Sequence, residues 1–426
     1  MDNLIAQCSE RLDVFLSSQL GISRNQISSL IKSAAVRVNG AVQTKPGYKL
    51  SAGELVRIDY PAPAPQQISA EWLDFNVEIL YEDEDLLVVN KPAGLTVHPA
   101  ASVKEPTLVD WLKSRGYLLS TLGGELRAGI VHRLDKLTSG ALLVAKNNAA
   151  HAALSAQLSD KSMGRIYLAL INLPLKEPCV IERPIARNPA NRLKMGIVPG
   201  GRSAKSAFYE ILSGAELSEL QNSAQKSDEI LGPGDGTAAS KSVSADKISN
   251  NCMQGADKIP IQSADKIPSN HADSADKILT ADMSTDQTRA ARLAENKFLN
   301  FKNPAQNQIL PPINLKNFNL VAAKLFTGRT HQIRVHLSSI NRHILGDHLY
   351  GFKSENAKIS RILLHAYLLY FIHPRSGKEV KICANLPSEF LNFTTNQKVK
   401  DEIYEKILPT NVERYFSDIS GWLRYV

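Results

Sequence analysis

Between Gly129 and Lys146 the chain reads GIVHRLDKLTSGALLVAK, which sets one carboxylate, Asp135, among three candidate cations, His132, Arg133 and Lys136. A carboxylate held beside cations stays ionised, and in a closed pocket it can serve as a base or a nucleophile. A solvated surface turn has the same composition, so the stretch alone leaves both readings open. The runs Ile130–Val131 and Ala141–Ala145 on either side are apolar, which predicts a turn between two strands. A second group, LFTGRTHQIRVHL from Leu325 to Leu337, brings Arg329, His331, Arg334 and His336 after a Thr-Gly turn. His331 and His336 are five apart and would fall on different faces of a helix, which argues against a shared metal. Hydrolysis of a glycosidic bond would ask for a second acid at a set distance from the first, and the HRLD loop offers only one.

The elements that must position these residues are mixed. Leu86–Val89 and Ile166–Ile171 read as buried strands, and Asn147–Asp160 reads as a helix with Leu154 and Leu158 on one face. Ala207–Leu212 and Asn319–Ala323 are strand candidates that would pair if joined as a hairpin. His331–Leu337 is expected to open a helix, and apolar runs around Leu363 and Phe371 form a strand–turn–strand unit around Pro374 and Gly377. Strands and helices without regular alternation predict an α+β fold with a mixed, largely antiparallel sheet.

The N-terminal stretch is a separate unit. Leu12, Phe15, Leu16 and Leu20 recur at helical spacing, and Ser23 and Gln26 form a capping box before Ile27, Leu30 and Ile31. Asn39-Gly40 between Val38 and Val42 signals a hairpin. A proline-alternating spacer at 61–70 follows, stiffened toward polyproline II. From about Leu212 to Leu315 the chain turns low-complexity, with ADKI recurring at Ala245, Ala256, Ala264 and Ala275. That composition buries too little apolar surface to order itself, so a disordered insertion is expected there. The expected division is therefore 1–60, a linker at 61–70, a second unit at 71–211 and 316–390 split by the insertion at 212–315, and a C-terminal extension at 391–426.

The chain carries 50 Lys and Arg against 42 Asp and Glu, a net of +8. The low-complexity stretch holds 10 of the basic and 13 of the acidic residues, so the remainder stands at 40 against 29, a net of +11. A basic surface of this size suits a polyanionic partner. The four cysteines form no CxxC pair and no zinc spacing. No apolar run approaches the length of a membrane span, and the polar N-terminus does not suit a signal peptide, so a soluble cytoplasmic protein is expected.

Two resemblances sharpen this. Arg11–Ile58 resembles an S4 RNA-binding domain over nearly its whole length, which implies phosphate contacts from Arg24, Lys32 and Arg37. The stretches VVNKPAGLTVHP, HRLDKLTSGALLVAK, RIYLAL, LFTGRTHQIRVHL, GDHLYG and LLHAYLLYFIHPRSG resemble, in this order, the motifs of the RluA-type pseudouridine synthases. An S4 unit ahead of them matches the members that act on large-subunit ribosomal RNA. The resemblance implies isomerisation of uridine to pseudouridine in RNA, with no cofactor and no metal, by a chain expected to be a monomer. It implies Asp135 as the catalytic carboxylate, Arg334 as its cation and Tyr167 as the ring against the target base. It also implies Leu364 as an apolar wall, Arg133 as the residue that fills the gap left by a flipped nucleotide, and His132 and Arg329 as further substrate contacts. Leu137 departs from the pattern, since many relatives carry an acidic or polar residue there. A non-catalytic S4-type RNA-binding protein is the rival reading; three intact motif residues, Asp135, Tyr167 and Arg334, speak against it.

Overall fold

Each stretch of alternating or helical apolar spacing near the N-terminus finds its partner inside that unit. Helix α1 (Leu12–Leu20) and helix α2 (Arg24–Lys32) pack on a four-stranded antiparallel sheet. Its strands are β1 (Asp2–Ile5), β2 (Val36–Val38), β3 (Ala41–Val42) and β4 (Leu55–Ile58), in the order β1-β4-β2-β3. Asn39 and Gly40 both take positive φ, at 48° and 83°, as a two-residue hairpin turn requires. Phe15, Leu16, Ile27 and Ile31 close a core against Val36, Val56 and Ile58. The computed structural model describes residues 2–20, 24–58, 76–100, 103, 105–230, 318–352 and 359–426. The spacer at 61–70, Ser23 and the ADKI repeats lie outside the described residues.

The second unit is built on a ten-stranded sheet. Its strands are β5 (Glu78–Glu82), β6 (Leu86–Lys91), β7 (Ser139–Ala145), β8 (Gly164–Ile171), β9 (Cys179–Glu182), β12 (Lys205–Leu212), β13 (Asn319–Leu325), β14 (Leu364–Ile372), β15 (Glu379–Cys383) and β16 (Leu423–Tyr425). The order is β16-β9-β12-β13-β8-β14-β7-β6-β5, with β15 paired to β14. Only β14–β7 and β16–β9 are parallel pairs, so the sheet is mixed and largely antiparallel. A small hairpin, β10 (Ile185–Arg187) and β11 (Met195–Ile197), stands beside it. With helices flanking the sheet, the fold is α+β.

Both faces of the sheet are covered, which explains why its central strands are apolar throughout. Along β8, Tyr167, Ala169 and Ile171 enter one core while Ile166, Leu168 and Leu170 enter the other. The first core is roofed by helix α3 (Leu108–Ser114) and helix α6 (Gln332–Ser338). Thr107 opens α3 with a complete capping box to Asp110. The second core takes helix α5 (Gly214–Ile230), helix α7 (Gln397–Lys406) and helix α8 (Pro409–Arg414). Helix α4 (Asn148–Asp160) closes a third cluster through Ala150 and Leu154. Each buried Leu or Val in these layers contributes about 1.5–3 kcal/mol.

Strands β12 and β13 pair with Leu212 opposite Leu320, the hairpin arrangement expected of those stretches. Two expectations need correction. Ile130–Val131 is not a strand: Ile130 makes a single bridge to Val144. Next to it, the N–H of Leu143 on β7 donates to His132 Nε2 instead of a strand carbonyl. The low-complexity region does not begin as disorder, because Gly214–Ile230 is helical and buries Leu217 and Ala224. Glu216 caps its start by accepting from the Ser213 N–H and hydroxyl. The C-terminal extension is part of the second core, through Val399, Ile403, Val412 and Phe416, and ends as β16 alongside β9.

Candidate active site

The HRLD loop is pinned from below by the NKPAG turn. Lys91 is fully buried, and its ammonium donates to the carbonyls of Pro92 (2.7 Å), Leu95 (2.9 Å) and Lys136 (3.1 Å). Burial, then the charge of Arg361, pulls this ammonium down to about 7, while three carbonyl acceptors match the three protons of its charged form. The Gly94 N–H donates to the same Lys136 carbonyl at 2.8 Å. After the loop, Gly140 (φ 115°) lets β7 approach β14; a Cβ there would lie 2.2 Å from the Ala366 carbonyl oxygen. Across that junction Arg361 donates to Ser139 Oγ, whose hydroxyl donates to His365 Nδ1. His365 Nε2 donates to the Ala384 carbonyl. These bonds hold the start of β7, just after Asp135.

Asp135 faces a cavity of about 550 Å³ formed by the HRLD loop, α4, β8, the Thr-Gly turn, the start of α6 and Leu364 of β14. Asp135, Arg334, Tyr167, Arg133, Leu364, Arg329 and His132 all line it. Residues more than 200 positions apart in the chain thus share one wall. Among the described residues Asp135 is the only carboxylate of the lining, against six arginines: Arg127, Arg133, Arg165, Arg202, Arg329 and Arg334.

Arg334 Nη1 donates to Asp135 Oδ2 at 3.3 Å. This is the expected pair, but not the tightest one. Arg334 Nε and Nη2 both donate to Asp347, at 2.8 Å each. Asp347 Oδ1 also accepts from the N–H groups of Leu349 and Tyr350. Burial pushes the Asp347 carboxyl up, but the Arg334 hydrogen bonds and charge outweigh it and the carboxyl ends below its ordinary value. Arg334 also lies over the Tyr350 ring, 4.9 Å from its centroid. Asp347 and Tyr350 belong to GDHLYG, the stretch whose individual roles composition does not reveal.

The histidines divide. His132 Nε2 accepts from the Leu143 N–H, and burial, then the charge of Arg165, lowers its ring to about 3, so it is neutral. His336 is fully buried between Ser206 Oγ and the Arg183 carbonyl, a scaffold role. His331 is not on the helix at all. It is the left-handed residue before α6 (φ 58°), with Nε2 3.8 Å from Asp135 Oδ2 and Nδ1 2.9 Å from the Tyr350 hydroxyl. The Met195 N–H also donates to that hydroxyl oxygen, at 2.8 Å. Tyr167 is buried, and burial raises its phenol, keeping it protonated.

The basic residues of the N-terminal unit differ among themselves. Arg24 donates to Asp13 at 2.8 Å, Arg37 Nη1 reaches the Gly40 carbonyl at 3.3 Å, and Lys32 is exposed. The three-residue group with metal-ligand geometry among the described residues is Asp83, Asp85 and His373, near the β5–β6 turn. Its ligand atoms are already engaged: His373 Nε2 donates to Asp83, and Arg375 clamps Asp85 through two nitrogens. No helix among the described residues is long and apolar enough to cross a membrane.

Residues 85–339 match the family described as RNA pseudouridylate synthase, and residues 10–56 match the S4 domain. The chain is 36% identical over 398 residues to an "Uncharacterized RNA pseudouridine synthase" of Helicobacter pylori J99, covering 93% of this chain and 92% of that one. It is 32% identical over 389 residues to "Ribosomal large subunit pseudouridine synthase D" of Zymomonas mobilis, covering 89% and 91%. The chain belongs to the RNA pseudouridine synthase family. It is an isomerase of RNA uridine with an S4 domain ahead of its catalytic unit.

Proposed function

We propose that this enzyme isomerises uridines of large-subunit ribosomal RNA and that Asp135 is the carboxylate that acts at the sugar carbon C1′. The observation that supports Asp135 is the cavity lining: one carboxylate, 3.3 Å from Arg334, among six arginines. Isomerisation needs one such group, as a nucleophile at C1′ or as the base that drives elimination, and has no use for a second acid. Arg334 orients the carboxylate and lies opposite its charge. Tyr167 packs against the uracil, Leu364 forms the apolar wall, and His132 and Arg329 complete the contacts to the nucleotide. Arg133, exposed at the rim, takes the place of the nucleotide when it leaves its stack.

Arg24, Lys32 and Arg37 of the S4 domain contact phosphates in this reading, with Arg24 shared between Asp13 and the RNA. The reaction moves no electrons to an acceptor and passes no group to a carrier, so we assign it neither cofactor nor metal. In this reading the enzyme acts as a monomer. The ribosomal target is supported by the name of the Zymomonas mobilis relative, which aligns over 89% of this chain.

The test is tritium release from RNA labelled at uridine C5, offered as large-subunit, small-subunit and transfer RNA transcripts. Release from large-subunit RNA alone is expected, abolished by Asp135→Asn with folding and RNA binding retained. Turnover by Asp135→Asn within a few-fold of the wild type would sink the carboxylate assignment. Release confined to transfer RNA would sink the ribosomal one.

A further inference from the structure

One buried cation of the cavity has no counter-charge. Arg165, near the start of β8, is 8% exposed, yet it forms no ion pair among the described residues and its Nε–H has no acceptor. A buried charge without a partner is costly, and folded chains keep one mainly where a ligand supplies the missing charge. Gly328 lies against this guanidinium, and a Cβ at that position would stand 2.9 Å from Nη1. Two further orphans line the same cavity, Thr138 Oγ1 and His132 Nδ1. Because His132 Nε2 accepts from the Leu143 N–H, its proton is on Nδ1, where it meets no acceptor.

RNA could bring two kinds of anionic oxygen here, a phosphate or the base itself. Position favours the base. Arg127, Arg133 and Arg202 are exposed at the rim, where a backbone would pass. Arg165 is buried, and it precedes Tyr167 by two residues on one strand, so both side chains share a face of the sheet. Resting on the assignment of this cavity as the active site, we propose that Arg165 Nε–H and His132 Nδ1–H donate to a carbonyl oxygen of the uracil while it is detached from the sugar. When the N1–C1′ bond breaks, the electron pair stays with N1, and the negative charge spreads to O2 and O4. The same pair then closes the C5–C1′ bond, the C5 proton leaves and N1 takes up a proton. The base is anionic only between those two bonds. Donors aimed at it therefore act on the chemical step and not on the binding of neutral uridine.

The experiment compares wild type, Arg165→Met, Arg165→Gln and Asp135→Asn under single turnover by tritium release, with RNA affinity and melting measured on each. Arg165→Met and Arg165→Gln are expected to slow the chemical step about 100-fold, as loss of one oxyanion donor does, at unchanged affinity. Because they remove an unpaired buried charge, they should melt no lower than the wild type. Weakened affinity with a shallower salt dependence and an unchanged rate at saturation would make Arg165 a phosphate contact and overturn the proposal. So would wild-type rates in both variants. A lower melting point or failure to fold would show Arg165 to be scaffold, which also overturns it. Turnover by Asp135→Asn would instead remove the cavity reading on which the proposal rests; an inactive Asp135→Asn beside wild-type Arg165 variants would leave that reading standing.

Discussion

Asp347→Asn tests whether the proposed catalytic pair, Asp135 and Arg334, depends on a third residue. Asp347 is 1% exposed at its side chain and Arg334 is 11% exposed, so solvent screens little of their interaction. Two charged hydrogen bonds of 2.8 Å join them and leave only Nη1 of Arg334 free to reach Asp135. An asparagine keeps the shape and one acceptor, but turns an N–H₂ toward a guanidinium that can only donate. Breaking one side of a buried pair costs about 3–5 kcal/mol, and the retained acceptor favours the lower end. At about 2–4 °C per kcal/mol for a domain of this size, the melting point should fall by roughly 6–12 °C at pH 7. The sign with pH follows from the depressed carboxyl. Its stabilisation is complete above the unfolded value near ~3.9 and is lost as pH falls through the lower folded value. The gap between wild type and variant should therefore close on acidification below about pH 4. Turnover should also fall, because Arg334 loses the clamp that aims it. If one charged hydrogen bond to Asp135 is lost, about 1.5–3 kcal/mol, the rate drops about 10- to 100-fold. Calorimetry across pH and tritium release from labelled RNA measure both. A variant that melts within about 1 °C of the wild type and keeps its rate would show that Asp347 does not hold the pair.

Lys32→Ala should weaken RNA binding uniformly across sequences and reduce the slope of log affinity against log salt by about one, whereas Arg24→Ala should do less because Asp13 already occupies part of its charge; equal slopes for all three proteins would take the S4 face off the RNA. The buried Lys91 ammonium, lowered to about 7, binds fewer protons folded than unfolded above that pH. Wild-type stability measured against Lys91→Met should therefore rise as pH climbs from about 7 to about 10, and a flat or falling difference would mean that Lys91 stays charged throughout. Replacing residues 231–317 by a short Gly/Ser link should leave isomerisation and melting nearly unchanged, since lengthening a loop costs only about 0.6 kcal/mol per doubling. Cutting back further, to Leu212, should lower the melting point, because α5 buries Leu217 and Ala224.

The strands and the pairing of Asp135 with Arg334 were legible in the chain because each is announced by its own neighbours. Short runs rich in apolar residues marked β8, β12 and β13, and both Asp135 and Arg334 stand in recognisable stretches. What the chain hid shares one cause: the partner that gives the residue its meaning is far away in sequence. Residues 214–230 are rich in Ser, Ala and Gln and look structureless until α7 covers Leu217 from nearly 200 positions on. Helical geometry placed His331 on a helix face, but the helix starts one residue later and a left-handed backbone turns the ring toward Asp135. Asp347 was visible as a letter in GDHLYG, and only the fork of Arg334 shows that its carboxylate is spoken for. Arg165 is the extreme case. Within RIYLAL it reads as the polar edge of an apolar strand, and what matters is that no described residue supplies an acceptor for its Nε–H. Pattern reading compares a side chain with its neighbours, so it finds residues whose partners are in the protein more readily than those whose partner is the substrate.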